Sequence, residues 1–290
     1  MAAPETTASI LADLNDLIGL QPVKDALARL AAVHQLNAKR AAAGEPVIAQ
    51  PLDLVFAGEP GTGEDEVARI VARLYVSLGL LPEVKVAEVS RPELVAATAE
   101  ETVARVEAAI QVALGGVLFV DEAQLLIPTT AEDHGDVAIT ALVAAMEARA
   151  GQLAVILAGP TDALRLIVEH HPGLNAAFEE LITFPRYTPE ELVALFEQKA
   201  AALKIKVPTN VLAAVSEHLV EVHADGSFRS ARYIPSLLEE MYARMATRTT
   251  GASPAELKRG FAVEDVPQPA AATLGDTGVK VGFTAGFEAH

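Results

Sequence analysis

The sequence predicts an α/β fold, a parallel sheet flanked by helices and followed by a small all-helical lid domain. Three observations carry that expectation. The apolar run Leu54-Val55-Phe56-Ala57 enters the glycine-rich stretch Gly58-Glu59-Pro60-Gly61-Thr62-Gly63, and a helical stripe of Val67, Ile70, Val71 and Leu74 follows. A second apolar run, Val117-Leu118-Phe119-Val120, ends in two acids, Asp121 and Glu122. From Glu190 onward only helical patterns are readable. Strands that alternate with helices and then give way to helices alone describe a sheet domain carrying a helical appendage.

The bulk composition bounds the function classes. A chain of 290 residues buries a sizeable core and holds one large domain plus a smaller one. The divisions read as a loose lead-in over 1–13, the α/β domain over 14–186, the helical lid over 187–250 and an extended tail over 251–290. Lys+Arg 22 against Asp+Glu 39 leaves a net charge of −17, which argues against nucleic acid and anionic membranes as partners. The absence of cysteine excludes disulfide and thiolate chemistry and suits a reducing cytoplasm. Residues 1–20 hold no basic segment followed by an apolar run, and no 18-residue apolar stretch occurs, so neither a signal peptide nor membrane insertion is expected.

Taken in order, Leu14–Leu20 reads as a turn opening a helix at Gln21-Pro22-Val23-Lys24, because proline is comfortable in a first turn. Val23, Leu27, Leu30 and Val33 carry that helix to about Ala43, where Gly44-Glu45-Pro46 breaks it. Leu52–Phe56 is the first buried strand. Val84–Val89 alternates like a strand, Arg91–Ala113 reads as one helix, and Gly115-Gly116 precede the strand that ends at Asp121. Gly135–Ala148 is helical and Leu153–Ala158 is another buried strand. Pro160-Thr161-Asp162 caps the next helix, Ile182–Phe184 is a short strand, and Pro185–Pro189 forms a joint. The lid helices are Glu190–Ala202, Asn210–Val222 and Ser230–Thr247. The tail is read as extended and as a flexible terminus, the alternative being a segment that docks on a neighbouring subunit through Phe261, Phe283 and Phe287.

Strand, glycine turn and helix together make the layout of the phosphate-cradling P-loop, G-x-x-x-x-G-K-S/T, and so of a P-loop NTPase fold. Gly58 and Gly63 stand at the required spacing, with Pro60, Gly61 and Thr62 between them, but Glu64 and Asp65 occupy the Lys and Ser/Thr positions. In a working loop that Lys reaches the β- and γ-phosphates and the hydroxyl holds Mg²⁺. A carboxylate in place of the Lys removes an attraction and adds a repulsion. Each is worth roughly 4 kcal/mol for unit charges about 4 Å apart at an effective dielectric near 20. Even heavily screened, the two amount to about three decades of affinity. A helix N-terminus is itself an anion site, so Glu64, Asp65 and Glu66 are placed to fill it with the chain's own carboxylates. Asp121 and Glu122 end their strand in the Walker B pattern, which delivers a metal-holding and a catalytic carboxylate.

Through these pieces the chain resembles the AAA+ proteins of the CbbX type (red-type Rubisco activases) and their sporulation- and secretion-associated relatives. The resemblance covers roughly Leu14 to Thr247. It rests on Asp16–Leu20, the loop Gly58–Gly63, Gly115–Ala123, Ala158-Gly159-Pro160, Pro172-Gly173-Leu174 and Phe184–Leu192. It implies ring-forming ATPases that remodel client proteins. It also implies roles for Asp121 as metal ligand if Mg-nucleotide binds, for Glu122 as a vestigial Walker B catalytic carboxylate and for Arg232 as the lid arginine. The departures from the family pattern are as informative. The arginine-finger segment reads Asn175-Ala176-Ala177, and the pore loop, Leu94–Glu101, lacks its aromatic and carries two acids. The sensor position offers only Thr161.

The expectation that follows is a degenerate AAA+ protein, a pseudo-ATPase without nucleotide cofactor, acting as a structural or regulatory subunit with itself or with an active AAA+ paralogue. The alternatives are a weak ATP- or ADP-binding, Mg²⁺-dependent remodeller that uses Asp121, Glu122 and Arg232, and a self-assembling scaffold. His170-His171 reads as helix-end charge, and the His134, Asp133 and Asp136 group lacks the ligand regularity of zinc or calcium sites.

Overall fold

The computed structural model describes residues 5–178, 181–224, 230–250 and 260–268. Among them the sheet has five strands, β1 (Leu54–Gly58), β2 (Val86–Val89), β3 (Val117–Val120), β4 (Ala154–Gly159) and β5 (Leu181–Phe184), in the order β2-β3-β4-β1-β5. Every pairing is parallel; Phe56 lies opposite Ala158 on one side and Ile182 on the other, and Phe119 lies opposite Ile156. Both faces of such a sheet must be covered. Phe56, Phe119, Ile156 and Ile182 face a core shared with α2 (Gln21–Ala42), α3 (Glu64–Ser77) and the lid. Their neighbours Val55, Leu118, Val155 and Leu157 face a second core under α5 (Ala99–Ala113), α6 (Gly135–Ala148) and α7 (Thr161–His170).

The amino-terminal segment is not a loose lead-in. Residues Thr7–Asp16 form helix α1, capped by the Thr6 hydroxyl, which accepts the Ser9 N–H. Ile10 and Leu14, one turn apart, are buried against α3, and Arg73 of α3 holds both Glu5 and Asp13. A second difference concerns Arg91–Ala113, which divides into α4 (Arg91–Leu94) and α5. Thr98 caps α5 by accepting the Glu101 N–H, and the buried Thr102 hydroxyl accepts the Ala96 N–H, so the side chains favour a break over continuous helix.

The lid consists of α9 (Pro189–Ala202), α10 (Thr209–Ala224) and α11 (Tyr233–Arg248), with a 3-10 turn Ser230–Arg232 ahead of α11. A reciprocal capping box of Thr188 and Glu191 opens α9. Part of the expected tail belongs to this unit. Gly260–Gln268 lies along the lid, with Phe261 buried beside Phe196 and the buried Asp265 held by Arg248 at 2.7 Å. Phe261 therefore docks within its own chain and not on a neighbour. Phe283 and Phe287 lie outside the described residues.

Candidate functional site

The glycine loop joins the C-terminal end of β1 to α3, at the edge of the sheet where parallel α/β folds place their ligands. Gly63 caps α3 with φ 98° and Gly61 has φ 90°, conformations that favour glycine. Gly58 is tightly enclosed: a Cβ there would lie 2.6 Å from Phe184 Cβ and 3.0 Å from Thr62 Oγ1. The turn therefore has the backbone of a phosphate cradle, with the first N–H groups of α3 aimed into it.

What fills the cradle is Glu64. Its side chain is buried, and its carboxylate accepts the Thr62 N–H at 3.2 Å and lies 2.8 Å from the Thr62 hydroxyl. Its own N–H also holds it. Burial pushes the Glu64 carboxyl above the usual carboxylate range, these hydrogen bonds oppose the rise, and the nearby Asp121 charge adds to it. Two N–H groups at this turn, those of Thr62 and Glu64, are thus engaged by a carboxylate of the chain. Asp65 and Glu66 remain in solvent, Asp65 pairing with Arg69 one turn on.

The other expected site residues fall into two groups. Asp121 is close enough to Glu64 for their charges to interact, and its Oδ1 accepts the Glu122 N–H at 2.9 Å. Glu122 is exposed and has left-handed backbone at φ 49°. Arg232 is exposed, and its side chain makes no hydrogen bond or ion pair among the described residues. Thr161 is the first residue of α7, and Gln124 reaches the end of β4 instead. Its Oε1 is buried without a hydrogen-bond partner and lies 2.3 Å from where a Cβ on Gly159 would sit. Asn175 is exposed on α8 (Pro172–Ala177). The pore segment Ala97–Glu101 is exposed and has no aromatic side chain.

Tyr187 is a contact that sequence patterns do not reveal. Its buried hydroxyl donates to the Thr62 carbonyl at 3.1 Å, tying the loop to the joint that leads into the lid. Burial pushes its phenol well above the ordinary range, with help from the Glu66, Glu191 and Glu64 charges. Glu191 in turn packs against Gly19, so the joint also touches the segment before α2. No cluster of three or more His, Asp or Glu side chains suited to a metal occurs among the described residues. Asp133 is committed elsewhere, because the Arg91 guanidinium at 2.7 Å holds its carboxyl down at about 2.

Comparison with known proteins agrees with this geometry. Residues 54–186 match the family described as ATPase family associated with various cellular activities (AAA), and residues 188–274 match the AAA lid domain. The protein CbxX of Cupriavidus necator is 33% identical over 241 residues, which cover 82% of this chain and 76% of that protein. The chain belongs to the AAA ATPase family, on its CbbX-like branch. Protein CfxQ of Xanthobacter flavus shows the same identity over 76% of its length. EccA3, an ESX-3 secretion system protein of Mycolicibacterium smegmatis, is 43% identical over 185 residues, 63% of this chain. This AAA chain spans about a third of the length of the EccA3 proteins it matches. Solved folds agree. The FIGL-1 AAA domain in complex with ADP aligns at TM-score 0.58 and 20% identity, covering 86% of this chain and 80% of that one. A Thermotoga maritima RuvB mutant aligns at 0.57 and 19%, covering 87% and 69%. No helix among the described residues is long and apolar enough to cross a membrane.

Proposed function

We propose that this AAA protein is a pseudo-ATPase, a cytoplasmic structural or regulatory subunit that assembles with itself or with an active AAA paralogue. The observation that carries this reading is the Glu64 carboxylate seated in the glycine loop on the Thr62 N–H. A tethered anion in the cradle competes with any phosphate, and it stands where a binding loop presents a cation. Asn175 at the finger segment and a pore segment that lacks an aromatic and carries two acids support the same reading. Such a subunit keeps the AAA framework while offering its neighbour no trans-acting arginine, and so slows that neighbour's turnover. The EccA3 relatives carry a secretion-system name, which makes a secretion-associated assembly one setting for it. As one of the possible partners, a copy of the chain itself would make the assembly a scaffold.

A second reading is a weak ATPase, favoured by the retention of Asp121, Glu122 and Arg232. Calorimetric titration with Mg-ATP and Mg-ADP near physiological salt separates the two. The pseudo-ATPase gives no heat up to millimolar nucleotide. Micromolar binding, followed by turnover that Glu122→Gln abolishes, establishes the weak enzyme.

A further inference from the structure

The lid carries a groove that neither the glycine loop nor the AAA framework accounts for. It lies between α9 and α11, a cavity of about 620 Å³ with mainly apolar walls. Leu203, Ile205, Leu238 and Tyr242 line it, and Lys199 and Glu239 stand at its edge. Leu203 and Tyr242 are 54% and 55% exposed, an unusual position for large apolar side chains placed side by side. We propose that this groove is the docking site of this chain's own segment Val279–Phe287.

The course of the chain points to that occupant. Gly260 and Phe261 lie on Lys206, the residue after Ile205 in the groove wall, and the Phe261 N–H donates to the Lys206 carbonyl at 3.0 Å. Phe261 then buries its ring beside Phe196 of α9, so a phenylalanine from this region already docks on lid helices. After Gln268, ten residues lead to Val279. Ten residues reach roughly 33–36 Å, longer than α11, whose 16 residues span about 24 Å. The groove is therefore within reach from any point on the lid.

The segment has the chemistry to fill it. Val279, Val281 and Phe283 recur at every second position, the spacing by which an extended chain would present three apolar side chains together, and Phe287 follows. Lys280 falls between them and complements Glu239 at the edge of the groove. The tether favours the same chain over a second copy, because a short linker holds its segment at an effective concentration near millimolar.

The absence of cysteine permits a direct test in the full chain. Tyr242→Cys combined with Phe283→Cys is oxidised under mild conditions, with Val112→Cys plus Phe283→Cys as the control, since Val112 is exposed on α5 away from the lid. The expected result is an intrachain disulfide in the first pair, formed several-fold faster than in the control and independent of protein dilution. Separately, Phe283→Asp with Phe287→Asp in the full chain accelerates hydrogen exchange of the 238–243 amides several-fold and leaves those of α3 unchanged. A link that forms only between chains and weakens on dilution overturns the proposal in favour of a second copy. Equal linking in both pairs, or unchanged exchange at 238–243, overturns it outright.

Discussion

Glu64 shows how one side chain reverses the electrostatics of a loop without disturbing its backbone. The glycines supply the left-handed turns and α3 supplies the donors, and the substituted residue supplies the anion that those donors require. Restoring the family residues tests this at the scale at which it acts. The double substitution Glu64→Lys with Asp65→Thr removes the resident carboxylate and returns a cation and a hydroxyl. Binding of Mg-ATP is expected to rise about a thousand-fold or more over the parent, since two charge terms of a few kcal/mol are reversed together. Calorimetry at one salt concentration reads the outcome, and no rise in binding would show that Gln124 or the exposed Arg232, not Glu64, sets the barrier.

Helix α1 makes the case at the scale of elements. Its stripe of Ile10, Leu14 and Leu17 is visible in the chain, but it is short and alanine-rich, and only the docking of Ile10 and Leu14 on α3 decides its fate. Ile10→Ala leaves a cavity between the two helices and is expected to lower stability by about 2–5 kcal/mol in urea unfolding. A surface control, Val112→Ala, is expected to change it by less than about 0.5 kcal/mol. The strands were legible because buried parallel strands are continuous apolar runs, and the glycine loop because its spacing is rigid. The break before α5 had a signal in Thr98 and Glu101, a capping pair inside an otherwise helical pattern. The seat of Glu64 followed from helix-end electrostatics, although only the fold shows that Asp65 and Glu66 stay outside. The Tyr187 bond to Thr62 spans 125 positions and has no local pattern that would announce it.

At the scale of the molecule, charge and burial together set the response to pH. Asp53 sits beside a cavity of about 350 Å³ at the far end of β1, its Oδ1 accepting the Val155 N–H at 2.7 Å. Burial pushes its carboxyl up to about 6. A raised acid binds its proton more tightly folded than unfolded, so its contribution is most favourable below its ordinary value near 4. That contribution is lost as pH rises through about 6. Asp53→Asn keeps an acceptor for Val155 and cannot titrate. Between pH 4 and pH 7.5 the variant is expected to gain about 2 kcal/mol relative to the parent in urea unfolding. Parallel curves for the two proteins would sink this assignment. The filled glycine loop has a consequence of another kind, for descent. A lone return of Lys at position 64 strips the helix end of its resident anion and sets a cation against it, so the intermediate is worse than either endpoint unless nucleotide is already bound. On the pseudo-ATPase reading the loop behaves as a ratchet, because its donors are matched to an internal carboxylate and a single reversal leaves them facing a cation.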